Sequence, residues 1–269
     1  MRILRKILIL ALAILSACYI GTRLYLSSSD RKDPPVINCP TEILEVSASD
    51  DEAKLLTGVT AADPQDGDLT NHIIVGGISK LISNNTAKVT LLVFDSDDNM
   101  GMCVRYIRYT DYQRPLFYVT QPLIYSSVEE VTLIERVGAT DVVDGDISQR
   151  VRVSTLSTTD NSEIYDVTIQ VTNSMGDTSR LRLPVVIQPT NPLRPVITLS
   201  SHLVYVDAGS EFDPASYVTA VTASQTSVDV SQVSISNDVN TATAGTYRVV
   251  YTYSANGSTG TAILTVVVQ

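Results

Sequence analysis

The residues best equipped for chemistry are carboxylates in three short clusters: Asp63, Asp66 and Asp68; Asp95, Asp97 and Asp98; and Asp141, Asp144 and Asp146. Calcium takes about six to eight oxygen ligands, and closely spaced Asp and Asn on loops supply several of them. The Asp-Gly-Asp spacing lacks the loop length and terminal Glu of an EF-hand, however. The favoured reading is a turn, in which Gly takes positive φ while Asp caps free backbone N–H groups. No cofactor is expected, with calcium as the alternative the clusters leave open.

Cys39 and Cys103 lie near the two ends of one stretch of about eighty residues. Outside the cytoplasm they either oxidise to a disulfide or stay as two buried thiols. Cys18 is separate, within an apolar run. His72 and His202, the only histidines, have no Cys or second His nearby for zinc and are expected on strand edges at the surface. A serine nucleophile needs a positioned base and acid, and glycoside hydrolysis needs two carboxylates across a cleft. Nothing in the sequence marks either, so no enzyme is expected. Asn84-Asn85-Thr86 and Asn256-Gly257-Ser258 are formal glycosylation acceptors and read as ordinary turns.

The elements that position these residues follow from a repeat. Pro35-Val36-Ile37, Pro115-Leu116-Phe117 and Pro195-Val196-Ile197 stand eighty residues apart. Repetition at this length means whole domains, since solenoid units run roughly 20 to 50 residues. Each stretch carries a late strand of period two: Val89, Leu91 and Val93 inward with Lys88 and Thr90 outward; Val167, Ile169 and Val171 inward with Asp166, Thr168 and Gln170 outward; Val249, Tyr251 and Tyr253 inward with Arg248 and Thr252 outward. A turn rich in Asp, Asn and Gly follows (95–101, 173–177, 255–260), then a second strand (103–109, 179–187, 261–268), which predicts a hairpin in every repeat. With no Trp, three Phe and thirteen Tyr, the cores must be built from Val, Ile, Leu and Tyr. The fold class expected is all-β: three tandem Greek-key sandwiches behind an N-terminal hydrophobic helix. The expected domains are 33–113, 114–191 and 192–269, after an anchor or signal segment with a polar linker at 1–32. Short linkers at 110–114 and 188–194, the second restricted by Pro189, Pro192 and Pro195, predict a semi-rigid rod.

Charge is uneven. Six basic residues face only Asp30 in the first 32 positions, leaving 13 basic against 28 acidic side chains in the remainder. Such a surface repels phosphate backbones, which argues against nucleic acid as a partner. Arg2, Arg5 and Lys6 precede an uncharged apolar run from Ile7 to Ile20, the pattern of an export signal. Three fates stay open: a single-pass helix, a lipoprotein acylated at Cys18 within Leu15-Ser16-Ala17-Cys18, or a cleaved signal. The first two set the repeats on the outer face of a membrane.

Pro-Val-Ile at the start, Asp66-Gly67-Asp68-Leu69-Thr70 and Asp144-Gly145-Asp146-Ile147-Ser148 in the middle, and the late hairpin resemble the bacterial immunoglobulin-like domains found in tandem on surface proteins and at the end of some pesticidal crystal proteins. The third repeat departs, with Ser227-Val228-Asp229-Val230-Ser231 keeping only Asp229. The resemblance covers about 34 to 269. It implies a non-catalytic surface stalk or interaction module at the cell membrane, contacting a protein or polysaccharide of the envelope or a host surface. The alternative is an accessory subunit of a polysaccharide or secretion assembly. The third repeat, farthest from the anchor, is where specificity is expected.

Overall fold

The computed structural model describes residues 11–23, 33–158 and 163–269, except for the side chains of residues 130 and 154–158. Residues 1–10 of the apolar N-terminal segment therefore lie outside the described residues. Residues 11–23 are helical with their side chains exposed. Among the described residues no helix is long and apolar enough to cross a membrane.

The rest is built from strands, as the β-branched composition demands. The first seven are β1 (Val36–Asn38), β2 (Leu44–Val46), β3 (Thr60–Asp63), β4 (Gly67–Asp68), β5 (Ile74–Ile78), β6 (Thr86–Phe94) and β7 (Met100–Tyr109). They form one sheet of order β1-β3-β4 and another of order β2-β7-β6-β5. The same pair of sheets then recurs twice. β8 (Leu116–Val119), β9 (Ile124–Tyr125), β10 (Val137–Asp141), β11 (Gly145–Asp146), β12 (Arg152–Thr158), β13 (Ile164–Thr172) and β14 (Thr178–Ile187) give β8-β10-β11 and β9-β14-β13-β12. β15 (Val196–Leu199), β16 (Leu203–Val206), β17 (Val218–Ala223), β18 (Thr226–Val228), β19 (Ser234–Asn237), β20 (Gly245–Ala255) and β21 (Ser258–Val268) give β15-β17-β18 and β16-β21-β20-β19. In every pair the chain crosses from the first sheet to the second after its opening strand. It then runs parallel to the last strand, as β2 beside β7, β9 beside β14 and β16 beside β21.

The long hairpins carry the cores. Val89, Leu91 and Val93 on β6, Val167, Ile169 and Val171 on β13, and Val249 and Tyr251 on β20 are all but inaccessible to solvent. Tyr253 is half-buried. Tyr251 reaches the polar side of its core by donating to the Pro214 carbonyl at 2.8 Å, which satisfies the one hydroxyl its burial would otherwise strand. Asp166 faces outward as its alternation requires, yet it is buried. It lines a crevice between its own sheet and the third repeat, where it pairs with Arg182 of the adjacent strand.

The three proline landmarks are buried at the mouth of each first strand. A Cβ on Gly101 would overlap the Pro35 carbonyl, and a Cβ on Gly260 the Pro195 carbonyl. These glycines let the opening segment lie directly against the last strand.

Two features went unread in the sequence. Glu52–Leu55 forms one helical turn, with the Asp51 side chain accepting from the Lys54 N–H. Beneath it Arg105, buried on β7, donates from Nη1 to the carbonyls of Leu55 at 3.0 Å and Thr57 at 2.8 Å. A guanidinium suits the negative end of a helical turn. Burial also lowers its pKa, the cost of holding a charge inside.

Two compact units emerge, one ending at Thr110 and one running from Asp111 to Gln269. The second unit contains both later pairs of sheets. Leu203 of the third repeat packs into the core of the second, with Tyr205 and Val267 against it, and the Phe117 N–H donates to the Tyr205 hydroxyl at 2.9 Å. The expected semi-rigid linker at 188–194 is thus bordered by direct contact between sheets. Arg194 pairs with Glu163 at 3.6 Å across the same joint.

Replacing Gly260 with Ala should lower stability by about 1–3 kcal/mol, since the overlap is with backbone and cannot be relieved by a rotamer change. A urea midpoint equal to that of the parent chain would contradict this packing. Arg105→Leu should cost a similar ~1–3 kcal/mol by stranding two buried carbonyls.

Candidate functional site

The Asp-Gly-Asp turns resolve into three distinct jobs. Asp63 Oδ1 accepts from the N–H groups of Gln65 (2.7 Å) and Asp66 (2.9 Å), and Asp141 Oδ1 does the same for Val143 (2.9 Å) and Asp144 (3.0 Å). Each therefore caps its own turn, whose glycine, Gly67 or Gly145, has positive φ. The next carboxylate reaches the other sheet. Asp66 accepts from Ser96 N–H at 2.6 Å and Ser96 Oγ at 2.9 Å, and Asp144 accepts from Ser174 N–H at 2.7 Å and from its Oγ. The last one, Asp68 or Asp146, accepts from Thr70 or Ser148 N–H at 2.9 Å and starts a 3₁₀ turn.

This division explains the third repeat. Asp229 keeps the last job, accepting from Ser231 N–H at 2.9 Å. The reaching carboxylate is gone because its target is gone: β20 and β21 are joined by only Asn256 (φ 53°) and Gly257 (φ 70°), a tight hairpin turn with no serine to hold. Asn256 Nδ2 instead donates to Ser224 Oγ at 2.9 Å. Hydrogen bonds from Thr70, Ser148 and Ser231 lower the pKa of Asp68, Asp146 and Asp229. Burial would raise Asp144, but the bonds from Ser174 and the ion pair with Arg150 outweigh it and leave the carboxyl lowered.

The hairpin-turn acids behave in kind. Asp95 is buried and accepts from Asp97 N–H, Asn99 N–H and Asn99 Nδ2 at 2.7–2.9 Å, while Asp97 and Asp98 are exposed. In the second repeat Asn173 takes the place of Asp95 and donates from Nδ2 both to Asp141 Oδ2 and to Tyr112 Oη, each at 2.9 Å. Tyr112 donates in turn to Asp177 at 3.1 Å. Burial, opposed by the Asn173 bond and aided by the charges of Asp177 and Asp141, pushes the Tyr112 phenol up to about 12. Among the described residues no three Asp, Glu, His or Cys side chains come together in a group that could hold a metal.

Cys39, just past β1, and Cys103, on β7, are paired as a disulfide with Cα atoms 6.4 Å apart. Because β1 and β7 belong to different sheets, the bridge staples the two layers together. Cys18 is free and exposed on the N-terminal helix. His72 is exposed. His202 is not the surface residue expected: it is half-buried, lining a crevice with Pro122, Leu123, Pro184 and Val186 of the second repeat. Burial lowers its pKa.

The joint within the second unit also opens a polar cleft of about 280 Å³. Asp166 and Arg182, paired at 2.9 Å, form one wall, and Asp238, Thr246, Tyr247 and Arg248 form the other. The Arg248 N–H donates to Asp238 at 2.8 Å, and the Tyr247 hydroxyl donates to the Thr243 carbonyl at 2.9 Å, so that ring is held in place. Two carboxylates, two guanidinium groups and an aromatic ring face one opening. No single stretch of sequence signals this cleft, because its walls lie some sixty to eighty positions apart.

Residues 198–268 match the family described as bacterial surface protein, Ig-like domain. The resemblance to bacterial immunoglobulin-like domains is thus upheld over most of the third repeat, from just past its opening Pro195-Val196-Ile197 through its late hairpin. An uncharacterized 81.3 kDa protein of Acholeplasma phage L2 is 32% identical over 137 residues, covering 49% of this chain and 18% of that protein. The chain therefore spans less than a fifth of that relative. Among solved structures, the M60 catalytic domain with CBM51-1 and CBM51-2 from Clostridium perfringens ZmpB aligns over 88% of this chain and 31% of its own, at 11% identity and a TM-score of 0.25. Mouse cadherin-23 EC22–24 aligns over 88% and 99%, at 16% identity and a TM-score of 0.20. Scores this low carry no argument.

Two outcomes are expected from this geometry. Adding calcium or chelator should leave the melting temperature unchanged, because the clustered carboxylates are engaged by turn N–H groups; a clear rise with calcium would assign them to a metal. Because the folded chain holds His202 below its ordinary value of 6.5, the unfolded chain binds that proton more readily. The stability His202 contributes is complete above about 6.5 and is lost as pH falls through and below it. His202→Gln should flatten the stability of the second unit between about pH 7 and 5, and an unaltered slope would remove His202 as its cause.

Proposed function

We propose that this chain is a non-catalytic interaction module displayed outside a bacterial cell. The observation that carries the reading is the match of residues 198–268 to the bacterial surface Ig-like family. Each of the three recurring sheet pairs is one Ig-like domain, bounded near 33–113, 114–191 and 192–269. The basic start and apolar run tether it to the membrane, with residues 11–23 presenting Leu12, Leu15 and Ile20 outward.

The ligand we assign is a polyhydroxylated envelope polymer held in the cleft at the joint of the second and third repeats. Sugar hydroxyls both donate and accept, so they suit carboxylates and guanidinium groups side by side, while the Tyr247 ring offers a face for the apolar side of a sugar. The disulfide between Cys39 and Cys103 belongs to the same setting, since such bridges persist in oxidising compartments.

Intact cells treated with protease should lose the repeats. The full chain should be retained by envelope polysaccharide fractions, and Arg248→Ala should weaken retention roughly tenfold, as loss of a charged hydrogen-bond donor does. Retention unchanged by that substitution would remove the cleft as the site, and protection of the repeats in intact cells would remove the location. Alkylation without reductant should leave positions 39 and 103 unlabelled, and reduction should lower stability by about 2–4 kcal/mol.

A further inference from the structure

The outer face of the sheet β2-β7-β6-β5 differs from its counterparts. On β7 every outward residue from Met100 to Tyr106 is apolar and exposed: Met100, Met102, Val104 and Tyr106. Pairing register sets Phe94 beside Met100, and Leu92 between Met102 and Ile74. Ile74 and Phe94 are exposed as well. The matching faces of the later repeats carry Thr168, Gln170, Arg180 and Arg182, or Arg248, Thr252, Thr259 and Thr261 around the half-buried pair Val250 and Ile263. Among the described residues the first repeat alone presents so contiguous an exposed apolar face, and soluble monomers rarely expose more than about 300–600 Å² of such surface.

The ends of this face are charged with opposite sign. At the hairpin turn stands exposed Asp98. At the other end are Lys80 and Lys88, the latter 5.7 Å from the Tyr106 ring, and Arg108, which pairs with Glu45 at 3.9 Å. Measured along the hairpin, Asp98 and Lys88 lie on either side of Met102, the most exposed of these apolar residues at 59%.

The geometry points to a second copy of this chain as the occupant. A two-fold axis through the region of Met102, perpendicular to the strands, lays one apolar face on the other and sets Asp98 of each copy over Lys88 of its mate. A parallel arrangement would stack Asp98 on Asp98 and Lys88 on Lys88, so the charges select the antiparallel one. Face-to-face sheets pack aligned to within about 30° in sandwiches, which this arrangement respects. The contact is isologous and closes as a dimer. It does not depend on the cleft between the second and third repeats or on how the N-terminus is anchored.

The test is the mass of the full chain in mild detergent by analytical ultracentrifugation, across a dilution series. A concentration-dependent dimer is expected. Met102→Asp should weaken it at least tenfold while leaving the melting temperature within the parent's range. Lys88→Asp should weaken it about threefold to tenfold, and adding Asp98→Lys should restore it. A chain that stays monomeric, a dimer indifferent to Met102→Asp, or charge reversal without rescue overturns the proposal. A monomer that binds vesicles of anionic phospholipid, and loses that binding on Met102→Asp, assigns the face to a bilayer and likewise overturns it.

Discussion

The constraint on which the fold rests is the need to join two sheets with no tryptophan and few buried aromatic rings. With no Trp available, the pairs are held largely by slim inward rows, Val89, Leu91 and Val93 in the first and Val167, Ile169 and Val171 in the second, while in the third Val249 stands beside one large ring, Tyr251. Slim side chains pack well only when the layers approach closely and evenly. That demand explains the glycines beneath Pro35 and Pro195, where a methyl group would push the opening segment away from the last strand. It also explains the ties at the sheet ends, where Asp66 holds Ser96 and Asp144 holds Ser174. In the first repeat the disulfide supplies a third tie across the layers.

Much of this was legible in the residues. The late hairpins showed themselves because a half-buried strand imposes strict alternation, and Val89 to Val93 obey it without exception. The Asp-Gly-Asp motif pointed correctly to turns, since Gly67 and Gly145 adopt the positive φ that the reading required. Its finer division of labour was not legible, because the partner of Asp66 lies thirty residues away on another sheet. Asp166 and His202 escaped for a related reason: both line crevices between the second and third repeats, and alternation reports only a strand's own core. Arg105 was hidden by its type, since a lone arginine in a strand is ordinarily a surface residue.

The candidate cleft illustrates the same limit. Its acids and bases are unremarkable in the chain, and only the packing of Leu203 and Tyr205 onto the second repeat brings Arg182 near Arg248. A rod with free joints would have no such surface. Direct contact between repeats thus does two things at once: it removes apolar area from water and creates a polar recess whose shape depends on the joint remaining closed.

The parallel pairing of the second strand of each repeat with its final strand has a mechanical consequence. When a chain fixed at its front end is pulled from behind, β16 and β21 are drawn in opposite senses along their shared length, so the bonds from Leu203 to Val206 bear load together instead of parting one by one. Bonds loaded together in this way resist separation more than bonds opened in turn, and the same parallel pairing is present in all three sheet pairs.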